Sequence, residues 1–186
     1  MKLLEQLSKI WNGIDYPFLI YNGVELKFSE ITSQNLVDLS LVKQGDVVAI
    51  IGDFNPSSIL TLLRLIDLGV VVVPLTVETS HEHEYFFESA LVNVVIKDDL
   101  VSRRFNDHKH EFIESLRTKN NAGLVLISSG TTGRPKAILH DLTLFLKRFE
   151  LPRPTLRTIN FLLFDHIGGI NTLLHTLFNG TSSILL

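Results

Sequence analysis

Val47-Val48-Ala49-Ile50-Ile51, and after it Val70-Val71-Val72-Val73, are the two runs that decide the fold. Each is an unbroken apolar stretch, the pattern of a strand buried on both faces of a parallel sheet. Between them Asn55-Pro56 starts a helix, since proline's missing N–H would be unpaired in the first turn anyway. Ile59, Leu60, Leu62, Leu63, Ile66 and Leu68 supply its apolar positions, Arg64 and Asp67 its wetter side, and Gly69 its C-cap. Gly45-Asp46 precedes the first strand as a break, and Pro74 stops the second.

The strand–helix rhythm continues outward. Glu82 to Leu91 is predicted as a helix, Asn93-Val94-Val95-Ile96 as a third strand, and Ala122 to Ile127 as a fourth. Lys136 to His140 reads as a strand, with Asp141 capping a helix through about Phe149. Asn160 to Phe164 is expected as a further strand, Gly168 to Phe178 as a helix with Gly180 past its end, and Ser183 to Leu186 as a last strand. Upstream, Phe18 to Tyr21 and Val24 to Phe28 flank Asn22-Gly23, the signature of a two-residue hairpin turn. Ser29 is expected to cap a helix running to about Leu41. Asp98 to Asn121 is polar and reads as an exposed connection with a short helix near His110 to Leu116. The fold class is therefore α/β, a mainly parallel sheet flanked by helices. A hairpin and helix in residues 1–45 precede the sheet region of 46–186.

The bulk properties narrow the function. The chain has 186 residues, a net charge of -3 and no cysteine. There is no basic footprint for nucleic acid, and disulfides and thiolate chemistry are excluded. The apolar runs are too short to span a bilayer. Met1 to Leu7, interrupted by Glu5, reads as a helix rather than a targeting segment, so a cytoplasmic location is expected.

Ser128-Ser129-Gly130-Thr131-Thr132-Gly133-Arg134-Pro135-Lys136 follows the fourth strand directly. Glycines let backbone N–H groups converge on an anion, and the Ser and Thr hydroxyls add donors. Lys136 adds positive charge, with Arg134 beside it, and Pro135 stiffens the exit. Two residues separate Gly130 from Gly133, and Lys136 lies three beyond, which does not match a Walker loop. No Gly-x-Ser-x-Gly elbow is present. His81 and His83 are expected at a solvated helix start, His108 and His110 in an exposed loop, and His140-Asp141 at a strand end and helix cap, with no metal site among them.

The nine-residue string resembles the signature loop of the AMP-binding, adenylate-forming superfamily, which includes acyl-CoA synthetases and nonribosomal-peptide adenylation domains. Phe161 to Ile170, with His166, Gly168 and Gly169, is similar to the family's acyl-pocket segment, and Gly45 to Ile50 and Gly69 to Leu75 to its first strand–helix–strand unit. The resemblance implies the first part of the family's large N-terminal domain. It implies that Ser128, Ser129, Gly130, Thr131, Thr132, Gly133 and Lys136 hold the polyphosphate of ATP, with Mg²⁺ assisting. His166, Gly168 and Gly169 would face a carboxylic acid substrate. The parent reaction would form an acyl-adenylate and pyrophosphate, then pass the acyl group to CoA or a phosphopantetheinyl carrier. The family's Tyr-Gly-x-Thr-Glu segment, its ribose-binding aspartate and its C-terminal domain with the reactive lysine are not in these residues. The expectation is thus a piece that is inactive alone, with no catalytic residue of its own. A truncated relative that only binds a nucleotide or partner, and an unrelated α/β domain with a chance loop, stand as alternatives.

Overall fold

The computed structural model of the chain describes residues 2–34, 37–128, 133–151, 153–154 and 156–185. Helix α1 (Leu3–Ile10) turns Leu3 and Leu7 inward. Its first two amides donate to the carboxylate of Asp67, a cap supplied from a distant helix. Strands β1 (Leu19–Tyr21) and β2 (Val24–Leu26) form the expected hairpin, with Asn22 and Gly23 at φ of 50° and 75°. Trp11, Phe18 and Phe28 pack as one aromatic cluster beneath it, and the Trp11 indole donates to the carbonyl of Leu177.

Helix α2 (Phe28–Ser33) is shorter than its sequence suggested and starts two residues earlier than a Ser29 cap allows, with Lys27 as its N-cap. Glu30 reaches back to accept from the Lys27 amide, which fixes the start. Gln34 is already extended, and Asp38 accepts from the Ser40 amide in a turn, so no helix continues to Leu41.

Strand β3 (Val47–Ile51) and helix α3 (Pro56–Leu68) follow the sequence closely, whereas strand β4 (Val71–Leu75) runs through Pro74, which was expected to stop it, because the missing N–H falls on the β7 side, where pairing ends at Val72. Asn55 accepts from the Ser58 amide, and Gly69 closes α3 in the left-handed conformation at φ 69°. A 3₁₀ turn at Ser80–Glu82 leads into α4 (His83–Ser89), then β5 (Val94–Lys97) and β6 (Leu100–Arg103). β6 was not expected. Asp98 and Asp99 both take positive φ and turn the chain back on β5, where a polar connection was read from composition alone. Helix α5 (Glu111–Lys119), strands β7 (Gly123–Ser128) and β8 (Lys136–Asp141) and helix α6 (Leu142–Leu146) come next. Asp141 caps α6 through the Thr143 and Leu144 amides, as its position implied. Strand β9 (Thr158–Asn160), helix α7 (Ile167–Phe178) and strand β10 (Ser183–Leu185) complete the order. The strand expected over Asn160–Phe164 thus lies earlier. Phe161 to Phe164 form a loop that turns Phe164 into the core against Phe54.

Two sheets result. The larger has the order β6-β5-β3-β4-β7-β8, with β5, β3, β4 and β7 parallel and both edge strands antiparallel. The smaller runs β2-β1-β10-β9, with β1, β10 and β9 parallel. The α/β class with a mainly parallel sheet is therefore correct, although the sequence reading did not separate a second sheet. Alternate residues of β3 enter different cores. Val48 and Ile50 join α1, α3 and α7, while Val47 and Ala49 join α4 and α5. Both faces of the larger sheet are covered, as an all-apolar strand requires.

Asp46 fastens the amino end of β3. Its carboxylate accepts two hydrogen bonds from Arg103 at 2.8 and 3.1 Å, one from the Lys43 amide at 2.8 Å and one from Asn93 at 3.0 Å. Burial pushes this carboxyl up, but Arg103, Lys43 and Asn93 outweigh it and hold it below its ordinary value. A depressed acid stabilises the fold above its unfolded pKa, and that contribution is lost as pH falls through the folded one. Asp46→Asn should lower the unfolding free energy by about 1–2 kcal/mol at neutral pH. Urea titrations of the two proteins should converge as the pH is taken into the acid range.

Candidate functional site

The Ser128–Lys136 string forms the connection between β7 and β8. Ser128 stands opposite Lys136 in the antiparallel register, and its hydroxyl donates to the Lys136 carbonyl at 3.4 Å. Both ends of the loop are thus pinned together at the carboxyl end of β7. Ser129, Gly130, Thr131 and Thr132 lie outside the described residues. Gly133 has φ 105°, a conformation that side chains rarely adopt, and nothing crowds it. Lys136 is exposed, and its ammonium has no partner among the described residues.

The loop exit is anchored by a residue that sequence reasoning missed. Tyr85 on α4 donates its hydroxyl to the Pro135 carbonyl at 2.9 Å, and the Arg134 guanidinium lies 5.9 Å from the centre of its ring. No local pattern in the sequence links residues 50 apart in this way.

The second group of candidate residues lies at the start of α7. His166 is its N-cap, and Nδ1 accepts from the Gly168 amide at 3.0 Å. In the neutral ring Nε2 therefore carries the proton. Gly168 and Gly169 are needed for close packing here. A Cβ on Gly168 would fall 2.5 Å from Leu162, and one on Gly169 would fall 2.6 Å from the Leu163 carbonyl and 2.7 Å from the Phe54 ring. Space at these glycines is thus already taken by Leu162, Leu163 and Phe54.

Asp165, beside His166, was also missed. It is half-buried and accepts from the hydroxyl of Thr76 at 3.3 Å. Desolvation raises its pKa, Glu78 adds to the effect, and Thr76 and His166 partly oppose it. Thr76 follows β4, whose parallel neighbour β7 leads into the loop, so the two groups occupy adjacent strand ends. Helix α4 ties them together. Tyr85 holds Pro135, and His83 Nε2 contacts the Thr76 carbonyl at 2.9 Å. His83 is accordingly buried, not part of a solvated helix start, because its ring fills the space between Thr76, Thr79 and Phe87. His81 is exposed. His140 is half-buried, and burial together with Arg148 lowers its pKa. His110 caps α5. Among the described residues no three acidic or histidine side chains lie close enough together to hold a metal ion, and no helix is long and apolar enough to cross a membrane.

Solved structures share this arrangement of sheets and helices. The chain superposes over its whole length on the N-terminal subdomain of NpsA from Klebsiella oxytoca in complex with 3-hydroxyanthranilyl-AMSN, with a TM-score of 0.76 and 19% identity. The fold is that of part of this N-terminal subdomain. An artificially fused adenylation–PCP di-domain, NpsA-ThdA from Klebsiella oxytoca, matches with a TM-score of 0.77 at 20% identity, over 100% of this chain and 42% of that one. The o-succinylbenzoate CoA synthetase MenE of Bacillus subtilis, in complex with the acyl-adenylate intermediate OSB-AMP, matches with a TM-score of 0.69 at 17% identity. It is covered over 43% of its length, from 98% of this chain. The chain spans about half the length of the NpsA subdomain, 54% of it. No family model matches the sequence, and no curated protein is matched. At these identities the likeness is one of fold.

The titration of Asp165 can be checked directly. A carboxyl whose folded pKa is raised costs stability as pH climbs from the unfolded value through the folded one. Asp165→Asn should therefore gain stability relative to the native protein at neutral pH, and the gain should vanish near pH 3, as read by thermal melts across that range.

Proposed function

We propose that this chain carries the polyphosphate-binding and acyl-facing walls of an ATP-dependent, carboxylate-activating ligase. The observation that carries the reading is the Ser128–Lys136 string at the carboxyl end of a parallel strand, with Lys136 exposed and unpartnered among the described residues. Ligands in open α/β sheets gather outside the carboxyl ends of the strands. Adjacent β4 and β7 bring the loop and the Asp165–Thr76 pair to that edge. The acyl-adenylate and AMSN ligands of the MenE and NpsA structures support the same reading.

In this proposal the amides and hydroxyls of Ser128 to Gly133 surround the β- and γ-phosphates, and Lys136 offsets their charge. Such displacement at phosphorus is helped mostly by positioning and by fixed positive charge. The substrate carboxylate attacks the α-phosphorus, the bond to the bridging oxygen breaks, and pyrophosphate leaves. His166 presents Nε2–H toward the carboxylate side, and Tyr85 keeps the loop exit in place. Mg²⁺ would arrive with the nucleotide, bound mainly by its phosphates and water. Transfer to CoA or a carrier-bound thiol would follow in a longer protein that supplies the groups for ribose, metal and reacting carboxylate. The 186 residues alone then bind without turnover.

Calorimetric titration with ATP tests this. The chain should bind ATP, and Lys136→Ala should weaken binding by about tenfold, the loss of one charge-assisted contact. Unchanged affinity in the variant would remove the loop from the site. Pyrophosphate–ATP exchange by the chain alone would contradict its lack of turnover.

A further inference from the structure

At the carboxyl ends of β3 and β5 a cavity of about 250 Å³ opens between the first turns of α3 and the β5–β6 hairpin turn. It is distinct from the Ser128–Lys136 loop, because β4 stands between β3 and β7 in the sheet.

Two hydroxyls in its wall are unusual. Ser58 and Thr61, one turn apart on α3, are only 8% and 3% exposed, and both line the cavity. Neither hydroxyl has a hydrogen-bond partner among the described residues. Neither oxygen is among the fully enclosed atoms that lack a partner, so both open on the cavity, where a guest can take the place of water. Gly52 keeps the way to them open, as a Cβ there would lie 3.1 Å from Ser58 Oγ. Across the cavity stand Asp98 and Asp99 of the hairpin turn. Ser57 donates to Asp99 at 2.7 Å, while Asp98 accepts nothing from the described residues.

The charges select the guest. Two carboxylates oppose an anion, and the positive end of α3 opposes a cation. A neutral group that both donates and accepts satisfies both sides, with Ile50 and Ile96 meeting its carbon frame. Doubly wound folds use this same pairing, a helix start after one strand and a carboxylate after its neighbour, to hold ribose hydroxyls. We propose that the cavity binds the vicinal diol of a ribose-sized polyol, with Asp98 accepting from its hydroxyls and Ser58 and Thr61 donating to its oxygens.

The test is a ¹⁵N–¹H NMR titration of the chain with D-ribose and 2-deoxy-D-ribose, each as its methyl β-furanoside, and with glycerol. Ribose should move the Gly52, Ser58 and Asp98 amides saturably and leave Gly133 and Arg134 unmoved. Deoxyribose should bind roughly fivefold more weakly, as should ribose to Thr61→Val or Asp98→Asn, each missing one hydrogen bond. Glycerol matching ribose would identify a free polyol as the source of the diol, and weaker glycerol a sugar. Three results overturn the proposal: no saturable shift with any of the probes, equal binding of ribose and deoxyribose, or the same amides answering Ca²⁺ instead. Should Thr61→Val fail to fold, Asp98→Asn on the exposed turn decides the outcome. The loop's role in ATP binding is independent of this result, since its amides are observed separately.

Discussion

The parallel register of β3, β4 and β7 is the constraint on which the rest depends. Val47 to Ile51 pair with Val71 to Leu75, and Val71 and Val72 pair with Gly123 and Leu124. These strands have almost no polar side chain to offer water, so each face must be covered. Helices α1, α3 and α7 take one face, and α4 and α5 the other. Parallel pairing then places every carboxyl end on one edge. Phe54, Thr76 and the Ser128–Lys136 loop meet there for that reason alone.

The smaller sheet completes this edge. Its β1–β10 pairing joins Leu19 to Ser183, residues near opposite ends of the chain. That contact seats α7, and with it His166, Gly168 and Gly169. The edge-to-face pair of Phe54 and Phe164, 5.1 Å apart, locks the segment before α7 to the end of β3. Helix α4 holds the other flank through Tyr85 and His83. The two candidate groups are therefore positioned by different sheets and linked by one helix.

What could be read from the sequence follows from whether the deciding forces are local. The buried strands, the Asn55-Pro56 start, the Gly69 cap and the Asn22-Gly23 turn were legible because each rests on neighbouring residues. The position of the Ser128–Lys136 string directly after a buried strand was legible too, because the apolar run and the polar string adjoin in sequence. The length of α2 was not, although its causes are local: Gln34 is already extended, and Asp38 accepts from the Ser40 amide in a turn that its apolar neighbours disguise. Nor was β6, because two aspartates at positive φ look like any polar stretch. The loop over Phe161–Phe164 was mistaken for a strand because Phe164 is apolar for tertiary reasons. Tyr85, Thr76 and Asp165 were invisible for the same cause: each acts on a partner far along the chain.

Crystals of the chain grown with ATP give the most direct measurement. The triphosphate should lie over residues 128–136, with the Lys136 ammonium within hydrogen-bond distance of a phosphate oxygen and Tyr85 still bound to Pro135. Nucleotide bound elsewhere, or a loop left empty at saturating ATP, would contradict it.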